Sequence, residues 1–446
     1  MHYVERFIEK EFYNWKQNWE GYGLEVTGCR QVGKTTTVLH FANENYKNVV
    51  YVNVGTDDMS LLETINEHNA LVVIQQYCNQ CGIHYEDNRN TVLVLDEVQE
   101  SRAIYEKIRV FNRCLKCDLI VTGSNLSKTI EFFQPAGDLI QCRMYPLSFE
   151  EYLYYYNAYE YYSKTSIKTI CDEKYDWFKQ VYDVYSVVGG YPAVFCTYLE
   201  GKPLQPIFES LLNTFKSEFR INTVNSADYD KIDSMFKVIC ELLCKEKKGD
   251  ARVLATASKL TTQDKSKRVS AAECNNLLAW LQASGIISYC GKIDLRTGDE
   301  YTAERFYFED VGLFRFVCEK YNLETTAVVG AVAKTFVYNE LRFNNFQKRF
   351  YQDRPSFAIC DDYELDFYVV ARFDGKKYGI EVKNGKNTGK SLQNVLDRLD
   401  CAIYARVDSG TGESGKVYTI PVFLLNKFWM DKEVEFKPLK QLKGFE

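Results

Sequence analysis

The segment Gly28-Cys-Arg-Gln-Val-Gly-Lys-Thr35 fits the pattern G-x-x-x-x-G-K-[ST] without a mismatch. The two glycines of such a loop let the backbone turn tightly, so that successive N–H groups point inward at nucleotide phosphates. Residues 24–27 before the segment have a strand pattern, and residues 36–43 after it have a helix pattern. The segment therefore lies at a strand-to-helix turn, where a phosphate-binding loop is expected.

The residue types in the loop indicate which side chains contact the nucleotide. The ammonium of Lys34 is expected to reach the β and γ phosphates, and the hydroxyl of Thr35 is expected to bind Mg²⁺. Arg30 also lies in the loop, although a surface salt bridge is the commoner role of a single arginine. We predict that six residues contact the nucleotide: Gly28, Arg30, Gly33, Lys34, Thr35 and Thr36.

Downstream, Thr91-Val-Leu-Val-Leu-Asp-Glu97 is an apolar, β-branched run that ends in two acids. A strand of a buried parallel sheet has such a continuous apolar run, and an open α/β sheet presents its chemistry at the carboxyl ends of its strands. We therefore predict that Asp96 holds the Mg²⁺ and that Glu97 orients and deprotonates the attacking water. For this segment taken alone, the alternative is a core strand followed by a solvated turn.

Strand and helix patterns alternate from residue 48 to residue 149. Strand patterns cover residues 48–54, 118–124 and 139–144, and helix patterns cover residues 61–76 and 104–115. This alternation predicts an α/β fold, the parallel sheet of a P-loop NTPase with helices on both faces. Ser124 ends a strand and is predicted to touch the γ-phosphate or the attacking water, with a plain turn as the alternative. Arg143 is a second arginine that could meet phosphate or form a surface salt bridge.

The composition limits the kind of protein. The chain has 446 residues, of which 46% are hydrophobic and 26% charged, as in a globular protein of about three domains. The net charge of −6 argues against a protein that coats nucleic acid with its whole surface. No apolar run approaches the roughly 18 residues of a membrane helix, and the N-terminus is too polar for a signal peptide. We expect a cytoplasmic protein without membrane contact.

The 15 cysteines are expected to be mostly reduced and buried. Two pairs have zinc-knuckle spacing, Cys78 with Cys81 and Cys114 with Cys117. Each pair precedes a predicted strand, so the four thiolates would meet if these strands were neighbours. The long separation of the pairs, and the expectation that the second pair ends a helix, favour buried or idle thiols over zinc.

Residues 151–230 are rich in aromatic side chains and are predicted to form a helical lid subdomain on the ATPase core. The stretch from Tyr152 to Tyr162 could stack on single-stranded nucleic acid. An aromatic helix face is more often part of a core, however. We therefore favour packing as the role of these side chains.

Residues 231–320 are predicted to form a winged-helix segment. Helix patterns cover residues 232–246, 255–260 and 271–284, and a hairpin pattern begins at residue 285. Residues 245–268 include eight basic and three acidic side chains, a patch that can neutralise DNA phosphates. A protein-binding winged helix is the alternative. In the DNA-binding interpretation, affinity depends on Lys259, Lys265, Lys267 and Arg268.

Residues 321–446 have the α-β-β-β-α-β order of restriction-endonuclease-like folds. Helix patterns cover residues 326–343 and 392–399, and strand patterns cover residues 349–353, 363–370, 377–383 and 402–407. Asp366 and Glu381 are carboxylates at strand positions and are predicted to hold Mg²⁺. Lys383 lies on the same strand face as Glu381, where it can orient or activate water. Glu340 is predicted to be an auxiliary acid. Surface chemistry, or a fold kept for binding alone, is the alternative.

Eight motifs together resemble the prokaryotic AAA-type ATP-binding proteins that carry a C-terminal domain of unknown function. They are residues 28–35, 95–99, 122–124, 145–150, 189–192, 307–313, 339–341 and 380–383. The resemblance extends over nearly the whole chain. It implies an ATPase domain, a winged-helix segment and a nuclease-like C-terminal fold. The Cys78-Asn-Gln-Cys81 segment departs from the family pattern.

These observations predict four domains: a P-loop ATPase core (1–150), a helical lid (151–230), a winged-helix-like segment (231–320) and a nuclease-like α/β domain (321–446). The predicted function is Mg²⁺-dependent ATP hydrolysis of the AAA or STAND-like type, coupled to DNA contact; DNA cleavage is left open. The alternative is a nucleotide-controlled switch that binds DNA or protein and has an inactive nuclease-like fold. ATP is the expected ligand, and DNA, a second copy of the chain or another protein are candidate partners.

Overall fold

The computed structural model describes residues 3–123, 138–222, 229–244, 270–346, 348–352, 354–384, 390–408 and 410–435. The chain divides into two compact units. The N-terminal unit comprises residues 1–147 with 283–285, and the C-terminal unit comprises residues 148–282 with 286–446. Within the described ranges, no helix is long and apolar enough to cross a membrane. The finer division into four domains stays a prediction.

The N-terminal unit contains a parallel sheet. Its five strands among the described residues are β1 (Gly23–Gly28), β2 (Asn48–Asn53), β3 (Thr91–Asp96), β4 (Asp118–Gly123) and β5 (Leu139–Met144). Their spatial order is β2-β3-β4-β1-β5, and each neighbouring pair is parallel. The predicted parallel sheet is therefore confirmed. All of β3 is buried, as its continuous apolar run requires.

The helices of this unit differ from the prediction at two places, because the helix at Glu9–Asn18 was not predicted and another helix begins later than predicted. The described helices are α1 (Glu9–Asn18), α2 (Lys34–Asn45), α3 (Ala70–Cys81) and α4 (Arg102–Cys114). The helix predicted over residues 61–76 is wrong in its first part, because a 3-10 turn at Leu62–Thr64 is separated by a loop from α3, which contains residues 70–76. In that loop the Asn66 side chain accepts a hydrogen bond from the N–H of His68, and the Asn69 side chain accepts one from the N–H of Asn66. Such local bonds compete with the helix.

The register of the sheet brings the phosphate loop and the acids to one edge. Gly28 at the end of β1 pairs with Met144 at the end of β5, and Asp96 at the end of β3 pairs with Asn53. Because the strands are parallel, their carboxyl ends all lie at this edge. This is the edge where open α/β sheets bind their ligands.

The C-terminal unit begins with a run of helices that are rich in aromatic residues. The helices described between residues 149 and 283 are α5 (Phe149–Tyr155), α6 (Tyr159–Lys164), α7 (Ile167–Glu173), α8 (Tyr175–Val188), α9 (Pro192–Leu199), α10 (Gln205–Asn222), α11 (Tyr229–Cys244) and α12 (Ala271–Ala283). Tyr152, Tyr162 and Tyr185 are buried. This burial agrees with the favoured packing role of the aromatic side chains.

The rest of the C-terminal unit is built on a mixed sheet. Its strands among the described residues are β6 (Ile287–Asp294), β7 (Glu300–Phe308), β8 (Ser356–Cys360), β9 (Tyr363–Val370), β10 (Lys377–Lys383), β11 (Cys401–Arg406), β12 (Gly412–Ser414) and β13 (Val417–Pro421). Their order is β12-β13-β11-β10-β9-β8-β6-β7. The remaining helices are α13 (Val311–Lys320), α14 (Thr325–Phe346), α15 (Lys390–Asn394) and α16 (Leu425–Glu435).

The hairpin that was predicted to be a wing belongs to this sheet. Strands β6 and β7 are antiparallel, and β6 also pairs in parallel with β8. The hairpin therefore extends the sheet that carries Asp366 and Glu381. The helix predicted at residues 255–260 lies outside the described residues, as does the whole set of basic side chains from Lys259 to Arg268.

Two other predicted elements of this unit are wrong. Residues 349–352 form no strand among the described residues; Phe350 makes a single bridge to Ala371, and β9 pairs with β8 and β10 instead. The helix predicted over residues 392–399 is the short α15 followed by a 3-10 turn at Leu396–Arg398. Strands β12 and β13 and helix α16 were not predicted.

The motifs at residues 189–192 and 307–313 are in contact through the buried carboxylate of Asp310. Asp310 caps α13 by accepting a hydrogen bond from the N–H of Leu313 at 2.6 Å, and it accepts another from the N–H of Gly190 at 2.5 Å. Gly189 has φ +71, and a Cβ there would lie 2.4 Å from a carboxylate oxygen of Asp310. Burial raises the pKa of Asp310 to about 6, despite these N–H donors. The Gly-Gly turn therefore fixes where α13 begins.

Candidate active site

The phosphate loop has the backbone shape that its two glycines predict. Gly28 has φ +147, and a Cβ there would lie 2.2 Å from the carbonyl oxygen of Met144. Gly33 has φ +95 and immediately precedes α2. A side chain at Gly28 would collide with the neighbouring strand, and one at Gly33 would be strained. The loop therefore opens onto the N-terminus of α2, which favours anions.

Lys34 is enclosed by the loop. Its side chain donates hydrogen bonds to the carbonyl oxygens of Gly28 at 3.0 Å and of Cys29 at 2.9 Å. Burial lowers the pKa of Lys34, and nearby carboxylates, among them Glu97 and Asp96, act in the opposite direction. The ammonium is thus held where the loop would surround a phosphate.

Asp96 is the centre of a network of donors. The hydroxyls of Thr35 and Tyr51 donate to its Oδ2 at 2.7 and 2.9 Å, and the N–H of Glu97 donates to Oδ1 at 3.0 Å. The hydroxyl of Thr122 also donates to Oδ1. Asp96 is only 2% exposed, and these donors fix its orientation.

Thr122 and Tyr51 received no role from the sequence. Thr122 belongs to the Thr-Gly-Ser motif, in which only Ser124 was given a role. Tyr51 lies on β2 two residues before Asn53, the residue that pairs with Asp96. The period of two along a strand places Tyr51 on the same face as Asn53, and this signal could have found it.

The remaining residues predicted for this site are Glu97, Arg30, Thr36 and Ser124. Glu97 has φ +54 and accepts a hydrogen bond from the side chain of Gln99. Arg30 lies 3.6 Å from Glu100 in an ion pair, the role expected of a single arginine. Thr36 is exposed near the start of α2, and Ser124 lies outside the described residues.

The arrangement around Asp96 fits a magnesium ion. A hydroxyl and a carboxylate already in contact, Thr35 with Asp96, supply the hard oxygen ligands that Mg²⁺ prefers. Mg²⁺ usually keeps several waters and takes its other ligands from substrate phosphates. The residues that would hold it next to a nucleotide are therefore Thr35 and Asp96.

A second group of charged side chains lies on the sheet of the C-terminal unit. Lys383 lies 2.8 Å from Glu381, as its position on β10 predicts. The N–H of Val382 donates to Asp366 at 2.9 Å. The sequence missed a fourth member, Lys334 on α14, whose Nζ lies 3.0 Å from Oδ1 of Asp366. A lysine inside a helix gives no signal of such a role.

The two carboxylates of this group titrate differently. Burial and the charge of Asp366 raise the pKa of Glu381 to about 7. Burial also acts to raise the pKa of Asp366, but the ammonium of Lys334 and the N–H of Val382 bring that pKa below its ordinary value. Oε2 of Glu381 is buried and accepts no hydrogen bond from the described part of the chain. A buried carboxylate oxygen that accepts no hydrogen bond is suited to bind a cation.

The structure does not bring Glu340 into this group. Its side chain accepts a hydrogen bond from Asn426, and its neighbours include the carboxylates of Glu150 and Glu151. Burial, followed by the charge of Glu150, raises the pKa of Glu340 well above its ordinary value. Lys334 and Glu340 are six residues apart, so they leave the helix about 240° from each other. No three potential ligands come together as a metal-binding group among the described residues.

The four cysteines considered for zinc do not form such a group either. Cys78 is buried in the core that α3 helps to form, whereas Cys81 is exposed at the end of that helix. Cys117 is buried, and its Sγ lies 3.6 Å from the hydroxyl of Tyr85. Cys114 ends α4, as expected. All four thiols are free.

Residues 23–153 match the family model described as the AAA domain. These residues are a P-loop ATPase domain of the AAA type. The match covers β1 to β5 and contains the phosphate loop together with Asp96 and Glu97. The AAA domain therefore makes the chain an ATPase, and ATP is its substrate.

Two solved structures that are similar to the chain have low sequence identity to it and TM-scores below 0.5. A Walker-type ATPase of Pyrococcus abyssi is 12% identical, with a TM-score of 0.43, over 71% of this chain and 96% of the other. The RuvB Holliday junction branch migration motor of Thermotoga maritima is also 12% identical, with a TM-score of 0.29, over 71% and 94% of the two chains. No curated protein sequence matches the chain.

Proposed function

We propose that the AAA domain hydrolyses ATP with Mg²⁺ and that this reaction controls the C-terminal unit, which contacts DNA through a winged-helix segment and a nuclease-like site. The observation that carries the ATPase part is the contact between Thr35 and Asp96, 2.7 Å apart at the edge of the phosphate loop. Lys34 binds the β and γ phosphates, Thr35 and Asp96 hold the ion, and Glu97 orients and deprotonates the water. The ion neutralises charge that develops on the phosphates.

The residues of the chain supply the rest of this catalysis by position and charge. The N–H groups of the loop and the ammonium of Lys34 surround the phosphates. Thr122 and Tyr51 orient Asp96 through their hydrogen bonds. Glu97 follows Asp96 directly in the chain, so it lies at the same edge of the sheet. Ser124 is proposed to contact the γ-phosphate or the water.

For the C-terminal unit we propose a nuclease-like metal site formed by Asp366, Glu381 and Lys383. The two carboxylates are coupled electrostatically, and Lys383 pairs with Glu381. Glu381 also has a buried oxygen, Oε2, that receives no hydrogen bond from the residues that the structure describes. In this site Asp366 and Glu381 would hold the ion, and Lys383 would orient the attacking water. A Mg²⁺ ion there would supply charge stabilisation at a phosphodiester.

A basic cleft in the same unit supports contact with DNA. Its volume is about 380 Å³, and Lys348, Arg349 and Arg372 line it together with Phe373 and Glu433. Arg349 is paired with Glu433 at 2.7 Å. The cleft still has an excess of positive charge, because three basic side chains line it and only one acidic side chain does. Tyr351, which is 58% exposed, is close to Arg372. Cations beside an exposed aromatic ring suit a nucleic-acid backbone and a base.

The alternative function is a nucleotide-controlled switch that binds DNA or a protein and has an inactive nuclease-like fold. One observation favours this alternative: Lys334 pairs with Asp366, while Glu340 lies elsewhere. The site then contains two carboxylates and two ammonium groups instead of three carboxylates and one ammonium. Partners of the switch would be DNA, a second copy of the chain or another protein.

Plasmid cleavage by the full chain distinguishes the two functions. We expect nicking or linearisation with Mg²⁺ or Mn²⁺ that changes when ATP is added and is lost in Lys383→Ala. Arg296→Ala is a suitable control, because Arg296 is an exposed, ion-paired cation of the same unit. If no form of DNA is cut under any of these conditions, the nuclease proposal fails and the binding switch is the better account.

A further inference from the structure

Lys334 occupies a position in the charged group that none of the predicted roles explains. It extends from α14 to the buried side chain of Asp366, with 3.0 Å between Nζ and Oδ1. The other oxygen of Asp366 accepts the N–H of Val382 at 2.9 Å. The side chain of Lys334 is 21% exposed, so part of it reaches solvent.

When both carboxylates are ionised, the charges of the group are balanced without a metal ion. The groups that face one another are the carboxylates of Asp366 and Glu381 and the ammoniums of Lys334 and Lys383. A divalent cation bound by both carboxylates would raise the net charge of the group to about +2. Lys334 would be one of its two cationic neighbours, because it shares Asp366 with the ion as Lys383 shares Glu381. Repulsion between like charges a few ångströms apart is large at partly buried sites.

We propose that Lys334 is a built-in competitor of the divalent cation at the Asp366–Glu381 pair. The ammonium holds Asp366 when no metal is bound and must move away from Oδ1 when metal binds. A lysine can do this because its charge sits on a flexible four-carbon stem. The site then fills only when metal is abundant, or when another anion, such as a DNA phosphate, draws Lys334 away. This inference rests on the metal site of the proposed function.

Titration calorimetry of the full chain with Mn²⁺, without nucleotide, tests the competition. Lys334→Met keeps the length of the side chain and removes its charge. We expect it to bind Mn²⁺ at least about tenfold more tightly than the unchanged protein. Lys334→Arg should bind no more tightly than the unchanged protein, because it keeps the charge. Adding Asp366→Asn to Lys334→Met should abolish the gain, which assigns the binding to this site.

A matched control is Lys179→Met. Lys179 is 28% exposed, pairs with Asp183 at 3.0 Å and lies in the same unit on α8, so its loss should leave Mn²⁺ affinity unchanged. Circular dichroism melting verifies that each variant folds, and Lys334→Gln replaces Lys334→Met if the latter does not.

Three outcomes separate the possibilities. Tighter binding in Lys334→Met supports the competitor. Equal or weaker binding in that variant, when the unchanged protein does bind at Asp366, overturns the competitor and leaves the metal site intact. If neither protein binds Mn²⁺ at Asp366, the metal site of the proposed function fails, and the competitor fails with it.

Discussion

Asp96 lies at the centre of the candidate ATPase site, because four donors hold its carboxylate. Thr35 and Glu97 were expected near it, whereas Thr122 and Tyr51 enter through the register of the sheet. A carboxylate that is fixed in this way does not have to reorganise when a nucleotide and an ion arrive. Its preorganisation is what electrostatic catalysis requires.

Asp310 gives the C-terminal unit a pH dependence of stability. Its pKa in the folded protein is raised to about 6, so between pH 4 and 6 the folded state binds more protons than the unfolded state. Stability attributed to Asp310 therefore decreases as pH rises through this range and levels off above it. From pH 5 to pH 7 we expect a loss of about 1 kcal/mol.

Hydrogen exchange measures this effect locally. The peptides that contain Gly190 and Leu313 should be more protected at pH 5 than at pH 7, after correction for the intrinsic exchange rates. Asp310→Asn should remove the part of the slope that belongs to this carboxyl. Glu381 and Glu340 also have raised pKa values and give slopes of the same sign. An unchanged slope in Asp310→Asn would show that those groups alone cause it.

At the level of elements, both strands and helices were predictable where an apolar pattern is clear. The strand predicted over residues 139–144 matches β5. Those over 363–370 and 377–383 match β9 and β10, which are largely buried, because a buried strand needs an apolar run bounded by turns. The helix over residues 61–76 failed because Asn66 and Asn69 bond to local backbone, which hydrophobic periodicity does not register.

The residues of the candidate sites were predictable where a motif specifies the chemistry. They were not predictable where only the packing of the fold determines which side chains come together. The residues from Gly28 to Thr35 and the pair Asp96 and Glu97 follow from patterns whose spacing has a physical reason. Lys334 and Glu340 lie on one helix, and nothing in the sequence indicates which of them faces Asp366. That choice depends on how α14 packs against the sheet.

The docking of the Gly-Gly turn onto α13 provides an element-scale prediction. Gly189→Ala should destabilise the C-terminal unit by about 3 kcal/mol, because the new methyl group meets Asp310 and φ is positive. Gly201→Ala is the control. Gly201 has φ +65, but a Cβ there would have nothing within 4 Å, so we expect only the strain of about 1 kcal/mol. Urea unfolding of both variants gives the difference, and equal losses would contradict the proposed collision.

At the level of the whole molecule, one chain joins an ATPase domain to a unit proposed to meet DNA. If the C-terminal unit binds DNA mainly through the phosphates, its affinity for duplex DNA should fall steeply as the salt concentration rises. Replacing Lys265, Lys267 and Arg268 together with Ala should reduce the slope of log affinity against log salt concentration by about three. The control removes three lysines of another part of the C-terminal unit, Lys164, Lys168 and Lys202.

Mobility shifts at two salt concentrations, with and without ATP, measure this dependence. A shift that disappears with salt and depends on ATP supports the coupling of the two units. If no salt-sensitive shift occurs with or without ATP, a protein partner becomes the better proposal. An equal loss in the control variant would mean that total charge, and not the winged-helix segment, determines binding.

The most direct test is ATP turnover measured beside ATP binding in two variants of the AAA domain. Glu97→Gln should bind ATP with an affinity close to that of the unchanged protein but release phosphate at least about a hundredfold more slowly, because the proposed base that deprotonates water is gone. Lys34→Ala should lose ATP binding itself. Unchanged turnover in Glu97→Gln, or unchanged ATP binding in Lys34→Ala, would contradict the assignment of hydrolysis to this site.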